Sequence, residues 1–131
     1  MTYTTTSAYR TLVAQAIMGT TVDLLPVTLQ LGTGHYDPVT GVLTPPTPGE
    51  TALETPVITA VPVTATRDGQ VIRCVATVEG GATPVEITEA GLFTTAGTMV
   101  LIDVFRPRTL IEGVSFQLRY TLLPEVEQVG G

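Results

Sequence analysis

Few side chains in this sequence can do chemistry, and their spacing limits what they can do. The chain has one histidine, His35, and one cysteine, Cys74. A Ser-His-Asp or Cys-His arrangement has to pass its proton through that histidine, which lies in the glycine-rich stretch Gly32-Thr33-Gly34-His35-Tyr36-Asp37. There His35 is expected as a surface side chain of a loop, presented with Tyr36 and Asp37 to a partner. Metal ligation needs companions at zinc-like spacing, and no His/Cys cluster supplies them. Cys74 alternates in phase with Ile72, Ala76 and Val78, which marks a small buried hydrophobe rather than a nucleophile. Glu86 and Glu89 stand three apart on an expected strand and point to opposite faces, so they cannot share a proton as an acid–base pair. Both are expected as solvated or interface charges. Gly32-Thr33-Gly34 lacks the third glycine and the following helix of a phosphate-binding loop. No catalytic residue, cofactor site or metal site is therefore expected, and the chain reads as a structural and binding part rather than an enzyme.

Composition points toward assembly. Hydrophobic residues make up 44% of the 131 residues and charged residues 14%, against about a quarter charged in an ordinary globular domain. Such a surface stays soluble more easily when neighbours cover it. All six basic residues are arginines, the cation suited to interface pairs with carboxylates. Arg106 and Arg108, held apart by Pro107, are expected to pair with carboxylates of a neighbouring copy or partner. They form the candidate interface together with His35, Tyr36 and Asp37. A net charge of −6 argues against a nucleic-acid partner, whose backbone is bound through clustered positive charge. Met1 to Thr6 lacks the pattern of a signal peptide, and no apolar run is long enough to cross a bilayer, so membrane insertion is not expected. A single cysteine excludes an internal disulfide.

These residues need a scaffold, and the apolar pattern describes one mainly-β domain over 1–131. Tyr9, Leu12, Val13, Ala16 and Ile17 form one helical stripe, which predicts an amphipathic N-terminal helix over about 7–18 that caps the domain's own sheet. The Thr4-Thr5-Thr6-Ser7 run offers N-cap residues, and Gly19 stands where a left-handed C-terminal residue is needed. Val27, Leu29 and Leu31 alternate with polar residues as a strand. Residues 32–50 hold four glycines and four prolines, which predicts a long ordered loop with a small Val39 to Leu43 hairpin arm and a docking task. The β core is expected over 57–123. It starts with a hairpin of Val57 to Thr66 and Val71 to Val78 around Asp68-Gly69, a type I′ signal, with Pro62 marking an edge or a bulge. A second hairpin pairs Val85 to Phe93 with Met99 to Phe105 across Gly97, and Arg106-Pro107-Arg108 is expected to interrupt pairing. A last strand runs from Val114 to Leu123, with Phe116, Leu118, Tyr120 and Leu122 on one face, before a polar tail over 124–131. The expected fold is an antiparallel sandwich-like α+β domain of about six strands and one helix.

The order of four short segments carries a resemblance. The amphipathic helix is followed by Leu29-Gln30-Leu31-Gly32-Thr33-Gly34. A proline-rich stretch then closes in Glu50-Thr51-Ala52-Leu53-Glu54-Thr55-Pro56-Val57, and Ile87-Thr88-Glu89-Ala90-Gly91-Leu92-Phe93 comes last. In this order they resemble the N-terminal domain of bacteriophage tail fibre proteins of the tail-collar type, in which "LGxG", a proline-containing loop, "TxLxxEV" and "IxEIGLF" recur. Thr51, Leu53 and Val57 fit the third motif with one extra residue, and Ala90 replaces the isoleucine of the fourth. The resemblance spans residues 5–123. It implies a virion structural protein made in the bacterial host cytoplasm, homo-oligomeric, whose partners are other virion proteins of the tail, baseplate or capsid. Gly91 is expected to permit a bulge or close packing, with Leu92 and Phe93 buried on either side of the strand. After the last strand the family's repeats, heptads and distal receptor-binding domain are not expected. The resemblance therefore implies an attachment or adaptor module, and a capsid decoration protein is the alternative. A carbohydrate-binding module using His35, Tyr36 and Asp37 is a further alternative, poorly served by three Phe, four Tyr and no Trp.

Overall fold

Along Phe116-Gln117-Leu118-Arg119-Tyr120-Thr121-Leu122 the side chains alternate, and in the computed structural model Leu118, Tyr120 and Leu122 are buried while Gln117, Arg119 and Thr121 are exposed. The structure describes residues 2–69 and 71–122. Over them the elements follow as β1 (Thr2–Thr5), α1 (Ser7–Ile17), β2 (Pro26–Gly32), β3 (Pro56–Pro62), β4 (Thr64–Asp68), β5 (Val71–Glu79), β6 (Val85–Thr94), β7 (Met99–Leu110) and β8 (Ser115–Leu122). A five-stranded sheet ordered β1-β7-β6-β2-β3 and a three-stranded sheet ordered β4-β5-β8 are both antiparallel. Leu29, Leu31, Ala90, Leu92 and Leu101 of the first pack with Cys74, Ala76, Val78, Leu118, Tyr120 and Leu122 of the second in one core. The fold is thus the expected mainly-β sandwich-like domain with one helix, built from eight strands rather than about six.

α1 begins where predicted. Thr6 is its N-cap, accepting from the Tyr9 amide and donating to the Met99 carbonyl at 2.5 Å, so the cap also ties the helix to β7. The helix ends in a Schellman motif: Gly19 has φ +91°, its amide bonds to Ala16 and the Thr20 amide bonds to Gln15. Tyr9 and Val13 of the stripe enter the core, while Ile17 is 66% exposed.

Several boundaries differ from the sequence reading. Thr2 to Thr5 form an edge strand on β7, which no alternation of apolar residues announces, so only Thr6 of the threonine run serves as a cap. The first arm of the 57–66 hairpin breaks at Pro62: β3 ends there as the edge of one sheet, Val63 bonds to Val27, and β4 continues in the other sheet. Asp68 pairs with Val71, so Asp68 belongs to β4 and the chain leaves the ladder at Gly69 rather than at Asp68. Gly69 supplies a positive φ of 63°, and Gln70 lies outside the described residues. Arg106-Pro107-Arg108 does not end pairing, because β7 runs on to Leu110. The ladder absorbs Pro107 in a bulge between Val104, opposite Glu89, and Arg108, opposite Ile87, where a missing amide costs no ladder bond. The polar tail expected over 124–131 lies outside the described residues.

One polar contact crosses the core. The Tyr120 hydroxyl donates to Asp103 Oδ2 at 2.7 Å, while Asp103 Oδ1 has no partner. Burial pushes the Asp103 carboxyl up despite that bond, and burial together with Asp103 pushes the Tyr120 hydroxyl up. Tyr3 of β1 stands edge-on to Tyr120, centroids 5.4 Å apart. Tyr120→Phe leaves the whole carboxyl unpaired and is expected to cost about 1–3 kcal/mol in urea unfolding. Asp103→Leu combined with Tyr120→Phe is expected to recover most of that, because no polar group is then stranded. A loss within about 0.5 kcal/mol for the single variant would contradict the assignment.

Candidate functional site

The face of β6 opposite Ala90 and Leu92 carries Glu89, Gly91 and Phe93, all buried. What covers it is the long loop between β2 and β3. Leu53 from that loop joins Phe93, Met99 and Ile102 in a second apolar cluster. Gly91 makes room for it: a Cβ there would lie 3.3 Å from Leu53 Cδ2 and 3.1 Å from Met99 Cε.

Glu89 is fully buried, and a buried carboxylate must be bonded on both oxygens or lose its charge. Its Oε2 accepts from the amides of Gly34 (2.9 Å) and Thr55 (2.8 Å). Oε1 accepts from the Glu54 amide (3.0 Å) and from His35 Nδ1 (2.8 Å). Donors from both ends of the loop therefore converge on one side chain. Gly32 lies opposite Glu89 in the β2–β6 ladder, and a Cβ on Gly32 would collide with Glu89 Oε2 and the Thr55 carbonyl. At Gly34 a Cβ would come within 2.5 Å of Glu54 Cβ and 2.7 Å of Glu89 Oε2. The two glycines thus form the space that the carboxylate fills. Thr88 completes the floor, its hydroxyl donating to the Gly34 carbonyl at 2.6 Å.

His35 binds this floor to the rest of the loop. Its second ring nitrogen, Nε2, meets Glu50 Oε1, and the other oxygen of Glu50 accepts from the Thr47 amide at 2.6 Å. The His35 amide donates to Glu54 Oε1 (3.3 Å) and its carbonyl accepts from Thr44 (2.8 Å). A carboxylate on each nitrogen favours the imidazolium, the form in which both ring N–H groups donate. Burial alone would lower its pKa, but the bonds and charges of Glu89 and Glu50 outweigh burial and raise it. His35 sits at φ +57°, a left-handed conformation that a side chain rarely adopts and that these contacts hold in place.

The sequence expectations for these residues need correction at two positions. His35 is 5% exposed, so it is an internal fastener rather than a surface contact for a receptor, sugar or neighbour. Glu89 is neither solvated nor an interface charge but buried, while Glu86 is exposed. The expected opposite faces are not kept, because a register shift between Ile87 and Glu89 lets Ile87 and Ala90 both enter the main core while Thr88 and Glu89 both meet the loop. Tyr36 is half-buried and pairs with Leu43 in an isolated bridge, the base of the expected hairpin arm. Asp37 is exposed and accepts from the Val39 amide at 2.9 Å, a turn contact that lowers its carboxyl. The arm tip leaves Val39 and Val42 exposed. Arg106 is exposed, and the Arg108 guanidinium lies 5.4 Å from the centre of the Phe105 ring; the structure brings neither to the loop. Cys74 is buried and its thiol is pushed up to about 11 by burial, as expected of a core hydrophobe. A signal for Glu89 was present: Ile87 to Phe93 lacks alternation, as strands buried on both faces do, and a lone carboxylate there has to be bonded.

This arrangement binds the two ends of the loop to the sheet and holds them in position. Both nitrogens of His35 are engaged, and among the described residues no group of three His, Cys, Asp or Glu side chains could hold a metal ion. Glu89→Gln turns an N–H₂ toward amide donors and is expected to cost about 3–5 kcal/mol in urea unfolding. Glu86→Gln on the exposed part of the same strand is expected to stay within about 0.5 kcal/mol. Because the folded-state pKa of His35 is raised above its ordinary 6.5, its stabilising contribution is complete below that value and is lost as pH rises through the folded value. His35→Asn, which tolerates the left-handed backbone but cannot bridge both carboxylates, is expected to flatten this decline in unfolding curves taken across neutral to alkaline pH. No family model, curated protein or solved structure matches this chain.

Proposed function

We propose that the chain is a bacteriophage virion structural protein, an attachment or adaptor module of the tail fibre or baseplate that docks in repeated copies into a symmetric assembly. One observation carries the reading: the short motifs behind the resemblance to tail-collar fibre domains meet at a single site. Gly32 and Gly34 of the first motif enclose Glu89 of the last, and Leu53 of the proline-rich segment packs beside Gly91 and Phe93. Segments far apart in the chain and meeting around one carboxylate support a shared structural device rather than coincidence of short apolar words.

The clamp suits such a role. A long loop is costly to order at the moment of docking, and this one is ordered beforehand by Glu89 and His35, so its exposed arm is presented in a fixed position. The reading assigns the chain no reaction. Labelled antibody on purified particles is expected to mark a ring or tuft at the tail. A lattice over the head would replace this reading with a capsid decoration protein, and absence from particles would end both. Joint replacement Arg106→Ala and Arg108→Ala is expected to weaken incorporation while stability falls by no more than about 1 kcal/mol, the worth of the Arg108–Phe105 stacking; unchanged incorporation would remove these arginines from the interface.

A further inference from the structure

A sheet edge is a row of open backbone groups, and proteins blunt it by shortness, proline, bulges or charge. Three of the four edges here are blunted. β1 is four residues long. β3 is bracketed by Pro56 and Pro62 and has two register shifts against β2. β4 is five residues long and ends in the adjacent charges Arg67 and Asp68. β8 differs: it pairs with β5 without a shift from Ser115 to Leu122, contains no proline or glycine, and carries one charge, Arg119. Among the described residues no strand lies on its other side.

The direction of its open groups follows from the turn. Asp68 and Val71, three apart in sequence, are the last partners of the β4–β5 hairpin and so form a hydrogen-bonded pair. Odd residues of β5 then bond to β4 and even ones to β8, and Tyr120, Leu118 and Phe116 face even residues of β5. The backbones of Ser115, Gln117, Arg119 and Thr121 therefore point outward. In agreement, the Thr121 carbonyl accepts the Tyr3 hydroxyl at 3.3 Å.

We propose that β8 pairs antiparallel with β8 of a second copy about a two-fold axis at Leu118, joining the two three-stranded sheets into one of six. In this register Gln117 lies opposite Arg119 of the second copy, and the reverse. Within one chain Arg119 already reaches Gln117 Oε1 at 2.7 Å, so the pairing offers each guanidinium a second amide of the same kind. Moving the axis to residue 119 would set Arg119 against Arg119, a repulsive cross-strand pair, and moving it to residue 117 would set Arg119 against Ser115 and give up its Gln117 partner. Phe116, half-buried at the end of the core, comes opposite Tyr120 of the second copy. The 117/119 pairs supply about four main-chain hydrogen bonds. This contact gives the assembly proposed above a surface between copies, and it rests on that reading only for where the copies meet.

Sedimentation velocity of the full purified chain over a concentration series is expected to show a monomer–dimer equilibrium. Gln117→Pro removes an outward amide without touching the β5 ladder and is expected to weaken dimerisation at least about tenfold, a cost of roughly 1.4 kcal/mol. Gln117→Glu sets a carboxylate opposite each Arg119 and is expected to tighten it in a salt-sensitive way. Hydrogen exchange is expected to slow at the 117 and 119 amides as dimer forms. A monomer throughout the series, a dimer indifferent to both variants, or protected 117 and 119 amides in a monomer would each overturn the proposal. Particle labelling reports on the virion reading separately.

Discussion

The carboxylate of Glu89 cannot be left bare in an apolar sheet, and the surrounding structure answers that need. An ion removed from water costs several kcal/mol unless its oxygens are bonded, and here the donors are two loop ends and one imidazole. The chain between them, rich in glycine and proline, has little reason of its own to hold one shape. Its shape follows from the bonds: Glu89 fixes Gly34, Glu54 and Thr55, His35 carries the order outward to Glu50, and Glu50 fixes Thr47. The apolar contribution is smaller and more local, one leucine over Phe93, Met99 and Ile102.

The second buried carboxyl, Asp103, follows another logic. It has one partner, Tyr120, and an oxygen without any, and burial draws it toward the protonated form. Glu89, bonded through both oxygens, fastens a mobile kind of sequence to a rigid one. Asp103 instead links the two sheets, since Tyr120 comes from β8 and Asp103 from β7. One chain thus uses buried acids in two ways, and the number of donors each receives separates them.

Alternation and turn chemistry made most of the scaffold readable. The helix, its cap and its left-handed end, the strand from Val27, the β6–β7 turn at Gly97 and the two faces of β8 all follow from local rules. What escaped was settled by partners distant in sequence. β1 is a strand because β7 offers it an edge, and β3 parts from β4 because Pro62 and Val63 turn a corner between sheets. His35 read as a loop residue because nothing within ten positions of it shows that Glu89 lies beneath. The motif words named Glu89 without revealing its role, and only the empty space at Gly32 and Gly34 explains why a carboxylate belongs there.

The loop also reaches back to the start of the chain, where the Pro48 carbonyl accepts the Ser7 amide at 2.7 Å, one of the donors that an α-helix leaves unsatisfied in its first turn. Thr6 beside it is bonded to Met99 and Val100 at the head of β7. Helix, loop and sheet are therefore joined at one corner, and a local opening there has no small version. To lift the loop is to leave the Ser7 amide without its acceptor and to uncover Met99, beside which Leu53 packs, so thermal fluctuations that loosen an ordinary surface loop here involve a larger cooperative unit.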